Sequence, residues 1–295
     1  MKKFVIFTDS CSELTEEARR TYDVEYLPMY VSYGDRSIKA DLDWKEVSAK
    51  EFYDVMRSGT RILTSQVPTG DYVEKFEACL KEGYDILSIS CSSALSASVK
   101  ASEVAKEQLL KTYPDAKIYC VDSLISSAGL GLLCIYASKL RAEGKNIDEV
   151  AAEVEQFKLK VNQFGTVADL RFLKASGRIS GSKAFFGTLL GVKPVIVSNH
   201  KGENVSSEKA KGRVNSIHRL ADLTVETYVG EKVEEIYISH GDCLEDAEKL
   251  KAFILEKKPD AKISIGMLNP IVGASCGPST LISYCVGSSK PTVTD

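Results

Sequence analysis

Short apolar runs that alternate with helical patterns constrain the fold of this chain more than any other feature. The runs Phe4–Phe7, Tyr84–Ser90 and Ala116–Val121 are rich in Val, Ile, Tyr and Phe, as buried strands are. Stretches with apolar residues at helical spacing lie between them. Strands that alternate with helices are typical of crossover units around a mainly parallel sheet. The sequence therefore predicts an α/β protein whose first half is built on a parallel sheet.

The second half of the chain carries a less regular pattern. Its strand-like runs are unevenly spaced, a polar turn interrupts them at Asn199–Ser207, and a long helix is predicted over Glu208–Val229. This spacing favours a mixed sheet. We therefore expect two α/β domains, residues 1–163 and residues 164–295. The predicted strands of the second domain are Gly165–Ala168, Lys193–Ser198, Glu235–Ser239 and Ala261–Met267.

Composition and charge argue against several classes of protein. The 295 residues are 44% hydrophobic and 27% charged with a net charge of −3, and the basic residues are scattered, so no nucleic-acid-binding face is predicted. The longest apolar run, Ser127–Ser138, is too short to span a membrane, and the N-terminal residues do not resemble a signal peptide. The eight cysteines form no Cys-x-x-Cys pair, so we expect reduced core residues, no bound metal and a cytoplasmic protein.

Hydroxyl-bearing side chains concentrate at the predicted ends of strands. The serine-rich stretch Ser88–Ser98 joins a buried strand to a helix that is predicted to begin near Leu95, and Thr8–Ser12 and Thr64–Gln66 are similar. Ligands of open α/β sheets bind beyond the carboxyl ends of the strands, and the N–H groups of a helix N-terminus favour an anion. Neutral donors of this kind suit a carboxylate, and they also suit a sugar or a phosphate.

Two common nucleotide motifs and a serine hydrolase motif are weak or missing. Gly129 and Gly131 are not followed by the third glycine of a dinucleotide-binding loop, and no glycine-rich loop ends in Lys-Ser or Lys-Thr. His200 and His218 are expected at the surface. His240 ends a predicted strand, where a serine could meet it, but no Gly-x-Ser-x-Gly elbow supports a hydrolase.

A basic, glycine-containing turn precedes a strongly apolar segment. The turn contains Arg178, and the segment Gly181–Leu190 is predicted to be a short helix that is apolar almost all round. One interpretation is a buried core helix next to a solvated turn. The other is an apolar wall beside a cationic docking loop.

These stretches together resemble the DegV family of bacterial fatty-acid-binding proteins. The resemblance lies in FTDSCSELTEE, TSQVPTGDY, SISCSSALSAS, LRFLKASGRISGSKAFFGTLLGVKPVI and IVGASCGPSTL. It implies a tunnel between two α/β domains that holds one long-chain fatty acid, such as palmitate. It also implies that Thr64 and Ser93, with Ser65 close by, hydrogen-bond the carboxylate.

The resemblance further implies a carrier that is not itself an enzyme and needs no cofactor. Such a carrier presents its fatty acid to a dihydroxyacetone-kinase-like fatty acid kinase for phospholipid synthesis, and Arg178 would face the kinase or the acyl phosphate. Candidates for the tunnel wall are Phe172, Phe185, Phe186 and Leu189. The alternatives are an acyl-ester hydrolase or phosphotransferase in its own right, and a binding module for another lipid or a small polar anion.

One position departs from the pattern of the family. Members often carry His where this chain has Ser275, and a serine can donate a hydrogen bond but cannot carry a positive charge. We still expect Ser275 to contact the carboxylate region. Fatty-acid binding should survive the change because burial of about fourteen methylenes at roughly 0.8 kcal/mol each supplies about 11 kcal/mol before the costs of binding.

Overall fold

A four-stranded parallel sheet, sheet A, forms the core of the first half of the chain. The structure is a computed structural model that describes residues 2–180 and 191–291. Sheet A has the order β2-β1-β6-β7, and all three of its strand pairs are parallel. Its strands are β1 (Phe4–Asp9), β2 (Val24–Leu27), β6 (Asp85–Ser90) and β7 (Ile118–Asp122). This confirms the parallel sheet that the alternating pattern predicts.

A small antiparallel sheet, sheet B, lies after β2 in the chain. Its order is β4-β3-β5, and its strands are β3 (Met29–Tyr33), β4 (Arg36–Ala40) and β5 (Leu63–Ser65). Sequence reasoning missed this sheet because its strands are short and only partly apolar. β3 pairs on both sides, and its residues are alternately buried and half-buried, so these strands depend on their neighbours.

A six-stranded mixed sheet, sheet C, is formed by the second half of the chain. Its order is β10-β9-β8-β13-β11-β12, in which only the pair β11–β12 is parallel. This confirms the mixed sheet that the uneven spacing predicts. The strands are β8 (Val161–Thr166), β9 (Val192–Ser198), β10 (Asn204–Lys211), β11 (Glu235–His240), β12 (Lys262–Met267) and β13 (Leu281–Val286).

Helices cover the sheets and connect them. α6 begins at a capping box, in which the Asn146 side chain accepts from Glu149 N and the Glu149 side chain accepts from Asn146 N. The helices are α1 (Glu16–Tyr22), α2 (Ala49–Arg57), α3 (Thr69–Lys81), α4 (Ser98–Leu109), α5 (Ala128–Ala142), α6 (Ile147–Phe157), α7 (Leu170–Ser176), α8 (Arg213–Thr227), α9 (Leu244–Lys257) and α10 (Pro270–Cys276).

Two predicted elements in the second half of the chain differ from the structure. The strand expected at Gly165–Ala168 is the end of β8, which begins at Val161. The helix expected over Glu208–Val229 is two elements, because β10 continues to Lys211 and α8 starts only at Arg213. The residues of β10 are alternately half-buried and exposed along most of its length, as the period of two of a strand requires. Its hydrogen bonds to β9 decide between strand and helix.

The change from one sheet system to the other lies just before β8. Sheets A and B use strands that end before Val161, and sheet C uses strands from Val161 onward. The expected boundary between residues 1–163 and 164–295 therefore falls inside β8. The division into domains remains a prediction, since α5 packs against strands of both sheet A and sheet C.

The close approach of α5 to the loop after β1 requires glycine at position 131. A methyl group on Gly131 would lie 2.5 Å from the backbone oxygen of Ser12, which cannot rotate away. By contrast, a methyl group on Gly70 in α3 would meet nothing within 4 Å.

We predict that Gly131→Ala lowers the free energy of unfolding by about 1–3 kcal/mol, because the helix must move away from the loop. The matched variant Gly70→Ala should leave stability unchanged or raise it by up to about 1 kcal/mol, since alanine is the better helix former. Urea unfolding of both variants checks this. Equal stability of the two would contradict the tight contact.

Candidate ligand-binding site

A cavity lies between the carboxyl ends of sheet A and the inner face of sheet C. Its volume is about 240 Å³, whereas a single water molecule needs only about 10–15 Å³. Sheet A contributes the residues that follow β1 and β6, and sheet C contributes residues of β8, β9 and β13. The apolar part of its wall includes Met29, Leu173, Ile196, Ile271, Val272 and Ile282.

Hydroxyl-bearing side chains of two neighbouring segments line one part of this cavity. Thr64 and Ser65 of β5 line it together with Ser96 from the serine-rich loop. The two segments are joined by Ser98, whose hydroxyl accepts from Val67 N at 3.4 Å and lies 3.0 Å from the Ser96 hydroxyl. Ser65 is exposed, so this end of the cavity reaches the surface.

Arg178 lines the same end and contacts the serine-rich loop. Its Nε donates to the Leu95 carbonyl at 3.3 Å, and its guanidinium also donates to the Ser176 carbonyl. Two side chains of sheet C fix the backbone of Arg178. The Arg178 carbonyl accepts from Asn204 Nδ2 at 3.1 Å, and Asn204 Oδ1 accepts from Gln163 Nε2 at 2.6 Å. The basic turn that the sequence singles out is therefore positioned by two buried amides of sheet C.

Ser275 lines the cavity from α10. The helix begins at Asn269, whose side chain accepts from Ile271 N and Val272 N. The Ser275 hydroxyl donates to the Ile271 carbonyl at 3.1 Å, which commits its proton to the helix. Its oxygen keeps lone pairs that can accept, but the group carries no positive charge.

The structure places Ser93 outside the cavity lining, which does not support the carboxylate contact expected for it. Ser93 is exposed, its N–H donates to Asp122 Oδ1 at 3.1 Å, and its hydroxyl donates to the same carboxylate. The physical reason is a turn: Ser92 O accepts from Leu95 N and Ser96 N, both at 2.9 Å, so α4 begins at Ser98 rather than near Leu95. The turn directs Ser96 to the cavity instead.

The expected tunnel wall is only partly within the described residues. Phe172 lines a neighbouring cavity of about 90 Å³, which it shares with Thr64, Arg178 and Ser275. Phe185, Phe186 and Leu189 lie outside the described residues. The wall residues from β8, β9, β13 and α10 were missed, because their side chains carry no motif and look like ordinary core residues.

A buried carboxyl group holds the strand ends beneath the cavity. Asp9 is fully buried, with Oδ1 accepting from Cys11 N and Oδ2 accepting from Cys91 N, both at 2.9 Å. Burial raises the pKa of Asp9 from 3.8 to about 6, although the two N–H donors oppose the rise. The ends of β1 and β6 are thus tied to one side chain.

His240 is placed away from this arrangement. It is buried at the end of β11, its Nδ1 accepts from Cys243 N at 3.1 Å, and burial lowers its pKa. Its side chain is not among the residues that line the cavity. Within residues 2–180 and 191–291, no group of three His, Cys, Asp or Glu side chains could hold a metal ion.

The described helices also bear on membrane association. Over residues 2–180 and 191–291, none of them combines the length and the hydrophobicity that crossing a bilayer requires.

Fold and cavity together define a class of protein: an α/β protein of two main sheets with a cavity between them whose lining is partly polar and partly apolar. Comparison with known proteins agrees. The sequence profile of the DegV family of uncharacterised proteins matches residues 3–285, and the chain belongs to this family.

Relatives match over nearly their whole length. A DegV domain-containing protein of Clostridium perfringens is 39% identical over 290 residues, which are 98% of this chain and 99% of the relative. A solved DegV family protein of Thermus thermophilus, described by its fatty acid binding, is 26% identical with a TM-score of 0.84 and covers 97% of this chain and 99% of its own. DegV of Bacillus subtilis, described as a fatty acid binding protein, is 26% identical with a TM-score of 0.83 over 97% and 100%.

We predict that Asp9→Asn lowers the free energy of unfolding by about 1–3 kcal/mol at pH 4, because an amide has only one oxygen for the two N–H donors. The deficit should shrink as the pH rises. The folded pKa of Asp9 is raised above its unfolded value, so its contribution to stability is present below pH 4 and falls by about 3 kcal/mol by the time the pH passes 6.

The measurement is urea unfolding of both proteins between pH 4 and pH 7. The quantity of interest is the difference between the two free energies of unfolding, since other groups titrate equally in both. A difference that stays constant across this range would contradict the raised pKa of Asp9.

Proposed function

We propose that this protein is a non-catalytic carrier that binds one long-chain fatty acid. The tail would occupy the cavity between sheets A and C, and the carboxylate would lie at its hydroxyl-bearing end. The observation that carries this proposal is the composition of the cavity wall: the hydroxyl-bearing Thr64, Ser65 and Ser96 and the cationic Arg178 line it together with apolar side chains, and Ser65 is exposed.

The energetics assign different tasks to the two ends of the ligand. Burial of about fourteen methylenes supplies about 11 kcal/mol before the entropy cost of binding, at roughly 0.8 kcal/mol each. Hydrogen bonds to a charged group add about 1.5–3 kcal/mol each. The tail therefore supplies most of the affinity, and the polar groups select a carboxylate and fix its direction.

For the head group we propose Thr64, Ser65 and Ser96 as hydroxyl donors, with Ser96 taking the role that the sequence suggested for Ser93. Arg178 supplies the positive charge at this end. Ser275 lines the same end as an acceptor or secondary donor. Its proton already serves the Ile271 carbonyl, so it contributes less than a free hydroxyl would.

The two relatives described as fatty acid binding proteins support the same ligand class, since each matches this chain over 97% of its length at 26% identity. The ester hydrolase acting through His240 gains no comparable support, because His240 does not line the cavity and its Nδ1 already accepts from Cys243 N.

Presentation to a kinase is the finer part of the proposal. Ser65 and Gln66 are exposed where they line the cavity, so a carboxylate there would be accessible to a second protein. This accessibility, with the resemblance to carriers that serve a dihydroxyacetone-kinase-like fatty acid kinase, supports a role in phospholipid synthesis in the cytoplasm. Arg178 lies at the same end and would face the kinase or the acyl phosphate.

We predict that the protein purified from a bacterial host carries a long-chain fatty acid in a ratio near one per chain. Tight burial of the tail makes loss during purification slow. Solvent extraction followed by mass spectrometry identifies and quantifies the ligand. Extracts without fatty acid, combined with failure to bind added palmitate, would overturn the proposed function.

We predict that Ser96→Ala weakens palmitate binding by about tenfold or more, as expected for loss of one hydrogen bond to a charged group. Ser93→Ala is the matched control from the same loop and should leave the dissociation constant unchanged. Isothermal titration of delipidated protein gives both values. The opposite result, loss in Ser93→Ala alone, would return the head-group role to Ser93.

A further inference from the structure

Two cysteines lie side by side at the ends of neighbouring strands. Cys11 is two residues beyond the end of β1, and Cys91 directly follows β6. The strands are hydrogen-bonded in parallel, with Phe7 opposite Ser88, so both cysteines lie at the carboxyl edge of sheet A.

The loops that carry the two cysteines are held in a common position. The Asp9 carboxylate accepts from Cys11 N and from Cys91 N, each at 2.9 Å, so neither backbone can move without breaking one of these bonds. The Cys11 Sγ lies 3.7 Å from Met29 Sδ. The neighbouring Cys91 side chain and burial both raise the pKa of the Cys11 thiol.

Both thiols face the cavity described above. Cys11 and Cys91 are each 2% exposed, yet both line the cavity described above. Cys134 and Cys285 are equally buried and do not line it. Cys276 also lines the cavity, from α10, and serves as the control cysteine in the experiment below.

We infer that Cys11 and Cys91 form a reversible dithiol–disulfide site in the wall of the cavity, which is oxidised by a hydroperoxide that enters it. One thiol attacks the O–O bond and becomes a sulfenic acid, while the hydroperoxide leaves as water or an alcohol. The second thiol then displaces water from the sulfenic acid and the disulfide forms. Two thiols are oxidised, one O–O bond is reduced, and two oxygen-containing products, one of them water, are released.

Either thiol can make the first attack, and the other thiol then resolves the sulfenic acid. Both side chains are almost fully buried, so oxidation is slow compared with that of an exposed cysteine.

Occupancy of the cavity would control this reaction, a point that depends on the proposed fatty-acid ligand. An acyl chain that lies against Cys11 and Cys91 excludes the hydroperoxide from both sulfur atoms. The protein without ligand is then the form that can be oxidised, and the loaded protein is protected.

The experiment treats delipidated full-length protein with hydrogen peroxide, with and without saturating palmitate. Free thiols are then blocked under denaturing conditions, and peptides are analysed by mass spectrometry. We expect a linked Cys11–Cys91 peptide that disappears on reduction with dithiothreitol, and at least tenfold slower formation in the presence of palmitate.

Variants test the assignment. Cys11→Ala and Cys91→Ala should each abolish the linked peptide, and if one fails to fold the other gives the same information. The matched variant Cys276→Ala should retain it. Absence of the linked peptide in wild-type protein, or pairing of Cys91 with another cysteine, would overturn the dithiol site.

The outcomes also separate this inference from the proposed function. If palmitate does not bind, the proposed function fails, while the arm without ligand still decides whether the disulfide forms. If palmitate binds in a titration but does not slow oxidation, control by occupancy is overturned and the fatty-acid ligand stands.

Discussion

The carboxyl group of Asp9 is the constraint on which the cavity depends. It accepts from the backbone at Cys11 and at Cys91, so the chain after β1 and the chain after β6 diverge from fixed points. Without a shared acceptor, two buried N–H groups would lack partners, at a cost of about 1–3 kcal/mol each. The space between the diverging loops is where parallel sheets commonly bind ligands. In this protein that space is enclosed because sheet C lies opposite it.

Two segments far apart in sequence complete the enclosure. α5 packs against strands of both sheets and meets the loop after β1 so closely that only glycine fits at position 131. α10 packs against α7, α2 and strands of sheet B, which brings Ser275 next to Thr64. Such interlocked packing explains why a cavity of this size persists between two sheets. It also means that the cavity wall combines parts of the chain that belong to different sheets.

The described elements show which parts of the fold local sequence patterns can predict. β6, β9, β11 and β12 and the helix Leu244–Lys257 lie close to or at their predicted bounds, and the capping box at Asn146 is confirmed. These elements have strong apolar periodicity or a local hydrogen-bonding motif. Sheet B and β10 were missed because short or polar strands are stabilised by their partners rather than by their own residues. The serine-rich stretch was found, but its turn at Ser92, which brings Ser96 rather than Ser93 into the cavity lining, was not.

By itself the sequence determined the α/β class, the parallel first sheet, the mixed second sheet and the hydroxyl-rich segments of the candidate site, since these depend on periodicity and on residue types close together in the chain. Only the tertiary structure decided which serine lines the cavity, which apolar residues form its wall, and that Cys11 and Cys91 are neighbours. The physical reason is that these relations depend on where separate strands and helices meet. No local pattern in the sequence predicts the contact of Asn204 with Arg178 or the position of Ser275 near Thr64. Both depend on packing between segments that are distant in the chain.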